Sequence, residues 1–147
     1  MKITTKSIYA IRALHTINLA TKDSEVPVGI SYISNKIGIS NKYLEQIFSE
    51  LKKGKFVIST AGKNGGYHLS KSADEITILD VINVMDGGVI PIHCVNNRDC
   101  DVCSVCSING LWMDMKKHME DYLSGITISS LDNIKYPVLG CPEKKSN

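Results

Sequence analysis

Between Thr5 and Leu19, apolar residues recur at near-helical spacing: Ile8, Ile11, Leu14 (or His15) and Asn18/Leu19. That pattern predicts an amphipathic helix with these positions on its apolar stripe. A polar stretch from Asp23 to Pro27 follows, then a second, short helix over Ile30 to Ile37, with Ile30, Ile33 and Ile37 on one face. Gly38-Ile39-Ser40 reads as a tight turn, and the Ser40 hydroxyl is placed to accept an otherwise unpaired amide of the next helix. That third helix, Asn41 to about Lys53, carries Leu44, Ile47, Phe48 and Leu51 as its buried stripe. Gly54 is positioned to end it in a left-handed conformation.

The period then changes. Lys55 to Thr60 is β-prone, Ala61 to Gly66 is a Gly-rich turn, and Tyr67-His68-Leu69 is β-prone again, which predicts a hairpin. Thr77 can cap a fourth helix, Ile78 to Met85, that Gly87-Gly88 ends. Val89 to Cys106 is irregular and rich in cysteine. A long helix from about Ser107 to Leu123 places Ile108, Leu111, Trp112, Met115, Met119, Tyr122 and Leu123 on its apolar side. Thr127 is a candidate cap for a last short helix through Asn133, and the tail from Pro137 reads as frayed. The expected fold is mainly α with a small β-hairpin wing. It divides into residues 1–85 as a winged helix-turn-helix, 86–106 as a cysteine-rich loop, 107–135 as a long helix with a short C-terminal helix, and 136–147 as a tail.

The chain has 147 residues, 43% hydrophobic and 22% charged, which fits one globular domain with its own core. No apolar run approaches the ~18 residues of a membrane span. The stretch from Met1 to Ala20 carries scattered Lys and Arg without the apolar block of a secretory signal, so the expected location is cytoplasmic. The net charge of +2 hides an asymmetry. Residues 1–71 hold 11 Lys or Arg against 4 Asp or Glu, whereas residues 72–147 hold 6 against 11. A basic half joined to an acidic half is expected where only the first meets a polyanion.

Two short helices joined by a three-residue turn suggest a helix-turn-helix, whose second helix enters the major groove. The apolar stripe of the third helix leaves Asn41, Lys42, Glu45, Gln46, Ser49 and Lys52 facing outward. Asn and Gln can pair with adenine edges, Glu can accept from cytosine, and Lys can reach guanine or phosphate. The hairpin tip presents Lys63 and Asn64 between glycines that permit close approach to DNA, and a cationic tip suits the negative minor groove. A solvated helix face or a plain turn would explain either feature alone; in this order, within the basic half, they point to winged-helix DNA binding.

The opening Met1-Lys2-Ile3-Thr4-Thr5-Lys6-Ser7-Ile8-Tyr9-Ala10 resembles that of the IscR/NsrR/CymR family of bacterial winged-helix regulators. So do Ile39-Ser40-Asn41-Lys42-Tyr43-Leu44-Glu45-Gln46-Ile47-Phe48, the wing Gly62-Lys63-Asn64-Gly65-Gly66-Tyr67, and the run from Cys94 to Trp112. The resemblance implies a homodimeric transcription factor, usually a repressor, on a palindromic double-stranded DNA operator. The expected DNA contacts are Ser40, Asn41, Lys42, Tyr43, Glu45, Gln46, Ser49, Lys52, Lys63, Asn64, Gly65 and Gly66. The resemblance also implies that the long helix crosses that of the partner subunit, through Leu111, Trp112, Met115 and Met119. A core within one chain is the other reading of those four. The family's wing usually carries Arg before its first Gly, whereas this chain has Ala61 there, so the operator sequence does not carry over.

Cys94, Cys100, Cys103 and Cys106 lie within 13 residues, and Cys141 stands apart. In a reducing compartment such a cluster points to metal or redox chemistry rather than structural disulfides. Two ligand sets are legible: Cys94-x5-Cys100-x5-Cys106, the spacing of the family's cluster-binding branch, and Cys100-x2-Cys103-x2-Cys106 with remote Cys141-Pro142, a ferredoxin spacing. The first sits where the family carries its iron–sulfur cluster, of 2Fe–2S or 4Fe–4S type, just before the long helix. Where some relatives supply a His as fourth ligand, this chain has Asn109, and Ile8 to Arg12 contains no carboxylate of the kind others use. Cys103 is then the leading fourth ligand, with an exogenous ligand, an open site, His93 and Cys141 as alternatives. A zinc site or a metal-free thiol switch would use the same cysteines. The resulting expectation is a regulator sensing iron–sulfur status, redox or nitric oxide. A ferredoxin-like carrier competes, but has no use for a wing. No nucleotide-binding Gly motif, nucleophile elbow or zinc-protease motif is present, so no enzyme is expected.

Overall fold

The computed structural model describes residues 3–134 apart from 23, 25, 91 and 93–104. In chain order the elements are α1 (Thr5–Thr21), α2 (Ile30–Ile37), α3 (Asn41–Lys53), β1 (Val57–Thr60), β2 (Gly66–Leu69), a 3₁₀ turn (Ala73–Glu75), α4 (Ile78–Asp86), α5 (Asn109–Ser124) and a 3₁₀ turn (Ser129–Asn133). The last element is therefore a 3₁₀ turn, though Thr127 Oγ1 still accepts from Ser130 N at 3.3 Å, as its capping position predicts.

α1 packs against α2, α3, α4 and β2. Its buried stripe is Ser7, Ala10, Ala13, Leu14 and Ile17, whereas Ile8 and Leu19 are 47% and 48% exposed. Leu14 of the expected stripe is buried and Ile11 packs against the core, so the inner face is rotated away from Ile8 and Leu19 only in part. Small side chains carry the inner face because they let several elements approach one helix closely, and hydrophobicity alone does not mark such a face. Leu44, Ile47, Phe48 and Leu51 of α3 are buried as their spacing predicts. Together with Ile33, Val81, Ile82 and Ile76 they form one continuous core.

The helix-turn-helix corner closes as expected: Gly38 is left-handed (φ 75°) and ends α2, and Ser40 Oγ accepts from Tyr43 N at 3.2 Å to start α3. The end of α3 differs. Gly54 is right-handed (φ −72°), and Lys55 takes the left-handed position (φ 57°). Phe56 N bonds to Leu51 O at 2.9 Å and Lys55 N to Lys52 O at 3.0 Å, which is the Schellman closure moved one residue along. Gly54 is required for space instead, since a Cβ there would lie 2.9 Å from the Phe56 ring and 3.0 Å from the Val84 side chain.

β1 and β2 pair antiparallel with Ile58 opposite His68 and Ser59 opposite Tyr67. Val28, ahead of α2, adds a bridge to the hairpin: Val28 N donates to Tyr67 O at 3.0 Å and Tyr67 N to Val28 O at 2.9 Å. α4 begins with a capping box between Thr77 and Asp80 and ends at left-handed Gly87. Its start is fastened to the C-terminal segment by Ile78 N to Ile126 O (2.8 Å) and Ile128 N to Ile76 O (2.9 Å). Asp132 then ties the last turn to α1, through His15 Nε2 at 2.7 Å and through Lys22.

Candidate nucleic-acid interface and cysteine site

The stripe that buries Leu44, Ile47, Phe48 and Leu51 leaves Asn41, Lys42, Glu45, Gln46, Ser49 and Lys52 exposed on α3. The side chains of Lys42, Gln46 and Ser49 have no partner among the described residues, so they remain available to base edges and phosphates. Others are engaged. Asn41 Nδ2 donates to Ser31 Oγ at 3.2 Å, joining α3 to the preceding helix. Lys52 Nζ donates to Ser59 Oγ at 2.9 Å, joining α3 to β1. Tyr43 is half-buried and meets Tyr9 edge-on, with ring centroids 6.0 Å apart. Tyr9 in turn lies under Arg12 at 5.7 Å. Tyr43 therefore braces the start of α3 against α1 as well as lying near the expected contact face.

Phe48 on the inner side of α3 stacks on Tyr67 of β2 at 3.9 Å. This stack and the Lys52–Ser59 bond hold helix and wing together as one unit. Glu45 faces the same region, and burial, with the Glu45 charge adding to it, pushes the Tyr67 hydroxyl up from its ordinary pKa. The wing tip carries Lys63 and Asn64, both exposed and without side-chain partners among the described residues. Gly62 has φ 112°, the left-handed side that glycine tolerates. Gly65 and Gly66 serve packing: a Cβ would fall 2.3 Å from Thr60 O and 2.5 Å from Val28 O, respectively. Ser31, Ser59, Val28 and the Tyr9–Arg12 pair were not singled out by sequence. Only the i,i+3 spacing of Tyr9 and Arg12 gave any local signal.

Of the cysteine set, Cys94, Cys100 and Cys103 lie outside the described residues, as do His93 and Cys141. Cys106 is described. It is half-buried, in no disulfide, and its carbonyl accepts from Asn109 N at 3.3 Å, directly ahead of α5. Among the described residues no group of three or more His, Cys, Asp or Glu is placed to hold a metal ion. Asp86 marks the other end of the segment. Its carboxylate accepts from both Thr4 N (3.0 Å) and Thr4 Oγ1 at the head of α1. Partial burial pushes Asp86 up, but the Thr4 bonds, with Ser7 and Lys6 adding to them, outweigh it and hold the group below its ordinary pKa.

No residue of α5 is fully buried. Leu111 (58% exposed) and Met115 (39%) lie on an open face, and Trp112 is half-buried. Met119 packs with Leu123 against the core of its own chain, so the four expected interface residues divide between two faces.

The chain is similar to known proteins over most of its length. Residues 3–133 match the Rrf2 family, described as an iron-dependent transcriptional regulator. The HTH-type transcriptional regulator IscR of Pectobacterium carotovorum is 38% identical over 135 residues, spanning 92% of this chain and 81% of that protein. The chain belongs to the Rrf2 family. Solved Rrf2 structures agree with the fold. T. potens IscR matches with a TM-score of 0.70 at 28% identity, over 90% of this chain and 87% of the other. CymR, the global cysteine regulator of B. subtilis, matches with 0.75 at 27%, over 92% and 99%. This Rrf2 protein is accordingly a winged-helix, DNA-binding transcriptional regulator and not an enzyme. No helix among its described residues is long and apolar enough to cross a membrane.

Proposed function

We propose that this Rrf2 protein is a homodimeric repressor on a palindromic operator, whose DNA affinity reports iron–sulfur status, redox or nitric oxide. The observation that carries the reading is where the two described ends of the cysteine segment join the fold. The segment leaves α4 at a carboxylate clamped to the head of α1 and rejoins the fold at Cys106, ahead of the exposed face of α5. α1 packs in turn against α3, the helix that faces DNA.

The donor set fits an iron–sulfur cluster: four thiols in a short run, of which Cys106 is half-buried and in no disulfide. Cys94, Cys100 and Cys106 would hold it, with Cys103 as the fourth ligand. A bound cluster supplies a centre that iron shortage, oxygen or nitric oxide removes or alters. On the protein side, ligation would draw Cys106 and the base of α5 toward the segment that Asp86 anchors. Leu111, Met115 and the half-buried Trp112 would meet the partner subunit, so a shift at the base of α5 changes the spacing of the two α3 helices. Half-sites lie about 34–36 Å apart, and small rotations therefore change affinity. A coupling of about 1–3 kcal/mol, or ~5–150-fold in affinity, is the usual size.

The DNA contacts belong to Ser40, Asn41, Lys42, Tyr43, Glu45, Gln46, Ser49 and Lys52 on α3 and to Lys63, Asn64, Gly65 and Gly66 on the wing. Lys63 stands in for the cation that Ala61 lacks. The test is protein purified without oxygen, with its visible spectrum recorded and iron and acid-labile sulfide counted per chain. Broad visible absorbance with stoichiometric iron and sulfide, lost in Cys94→Ala, Cys100→Ala and Cys106→Ala, is the expected result. A colourless protein that takes up no iron on reconstitution would overturn it and leave a zinc or thiol regulator. Operator affinity unchanged by cluster removal would overturn the sensing step alone.

A further inference from the structure

A cavity of about 320 Å³ opens where the head of α1, the end of α4 and the last turns of α5 converge. Its walls are apolar: Ile3, Ile82, Val89, Ile90, Met119 and Leu123. The polar lining includes Asp86 together with Thr4. Both Asp86 oxygens already accept from Thr4, but a carboxylate offers about four acceptor positions. With Ser7 also acting on the carboxylate, about one acceptor position is left for a further donor. The Thr4 bonds outweigh the opposing effect of partial burial and hold the group below its ordinary pKa, so it is charged near neutral pH. Lys6 acts on it from outside the cavity lining.

The volume lies at the lower end of the ~300–1,000 Å³ range of small-molecule sites. The chemistry narrows the ligand further. A carboxylate on an apolar wall repels acids and phosphates, and it rewards a cation or a strong donor, because charge-assisted hydrogen bonds are the stronger kind. We propose that this cavity is a binding site for a small amphipathic amine, with its apolar body between α4 and α5 and its ammonium on Asp86. The site adjoins Gly88, Val89 and Ile90, the entry to the cysteine segment. An occupant therefore wedges α5 against α4 and gives the regulator an input separate from its cysteines.

The test uses the full chain with n-hexylamine, n-hexanol and hexanoate as probes, followed by thermal melting and by isothermal titration. Saturable binding in the order amine, alcohol, acid is expected. Asp86→Asn should lower the amine's affinity about tenfold while leaving the alcohol within about twofold, the difference between a charged and a neutral hydrogen bond. Ile3→Trp, made at a rim position that is 38% exposed, should block all three. Circular dichroism checks both variants. Absence of saturable binding, equal binding of the three probes, or binding indifferent to Ile3→Trp would each overturn the site. Binding seen only at dilutions that separate subunits would also overturn it, and would assign the cavity to a second copy of the chain.

Discussion

Adding one methyl group at Gly66 should unseat the wing. The alanine Cβ would lie 2.5 Å from Val28 O, 2.6 Å from Val28 C and 3.0 Å from Gly29 N. All three are backbone atoms and cannot rotate away, so β2 must move off the Val28 bridge. The move breaks the Val28–Tyr67 pair of bonds at 3.0 and 2.9 Å, worth about 0.5–1.5 kcal/mol each. It also loosens the Tyr67 stack on Phe48 at 3.9 Å, worth about another 0.5–1.5 kcal/mol. Reduced freedom of the unfolded chain returns about 0.4–1 kcal/mol. The net loss is about 0.5–4 kcal/mol, which for a chain of this size lowers the melting temperature by roughly 2–13 °C. Thermal melting and urea unfolding measure the loss, and amide exchange locates it. Val28 and Tyr67 amides should lose protection in Gly66→Ala. Gly62→Ala is the contrast, because Gly62 has open space but φ 112°. It should strain the tip by about 1–3 kcal/mol and leave the Val28 bridge protected. Retained protection of both amides in Gly66→Ala, with a melting temperature near that of the parent, would refute the reasoning.

Ser40→Ala removes the α3 cap to Tyr43 N and should cost about 1 kcal/mol in urea unfolding, while also weakening operator binding. Lys42→Ala should weaken binding to all DNA sequences alike and reduce the slope of log affinity against log salt by about 0.9, measured by fluorescence anisotropy. Asp86 is held below its ordinary pKa, so it binds its proton less tightly folded than unfolded. Its contribution is therefore present above the unfolded value of about 3.9 and disappears as pH falls through the folded value. The stability gap between the parent and Asp86→Ala should hold steady from about pH 5 to 7 and close below about pH 4, as read by urea unfolding across that range.

Much of the helix-turn-helix and its wing was legible because the signals are local. The turn at Gly38, the Ser40 cap, the α3 stripe and the two β-prone runs each depend on neighbours within a few residues. The cysteine spacing was legible for the same reason, and it remains the basis for the proposed ligands. Where contacts came from far along the chain, periodicity misled. The inner face of α1 is carried by Ser7, Ala10 and Ala13, because several elements press on it, and Ile8 is left outside.

Local pattern sufficed to place helices α1 to α5, the start of α3 and those of its side chains that point away from the core. A 3.6-residue period and a capping hydroxyl are sufficient for that. Packing between distant segments is what makes Gly66 necessary beside Val28, 38 positions earlier in the chain. The same holds for Gly54, which makes room for Phe56 and Val84 while Lys55 takes the left-handed turn. It also split the apolar side of α5, sending Met119 to its own core and leaving Leu111 and Met115 outward. The physical reason is common to all three. Local pattern says that a side chain is apolar or that a backbone is free, but steric exclusion and burial depend on which distant surface arrives next to it.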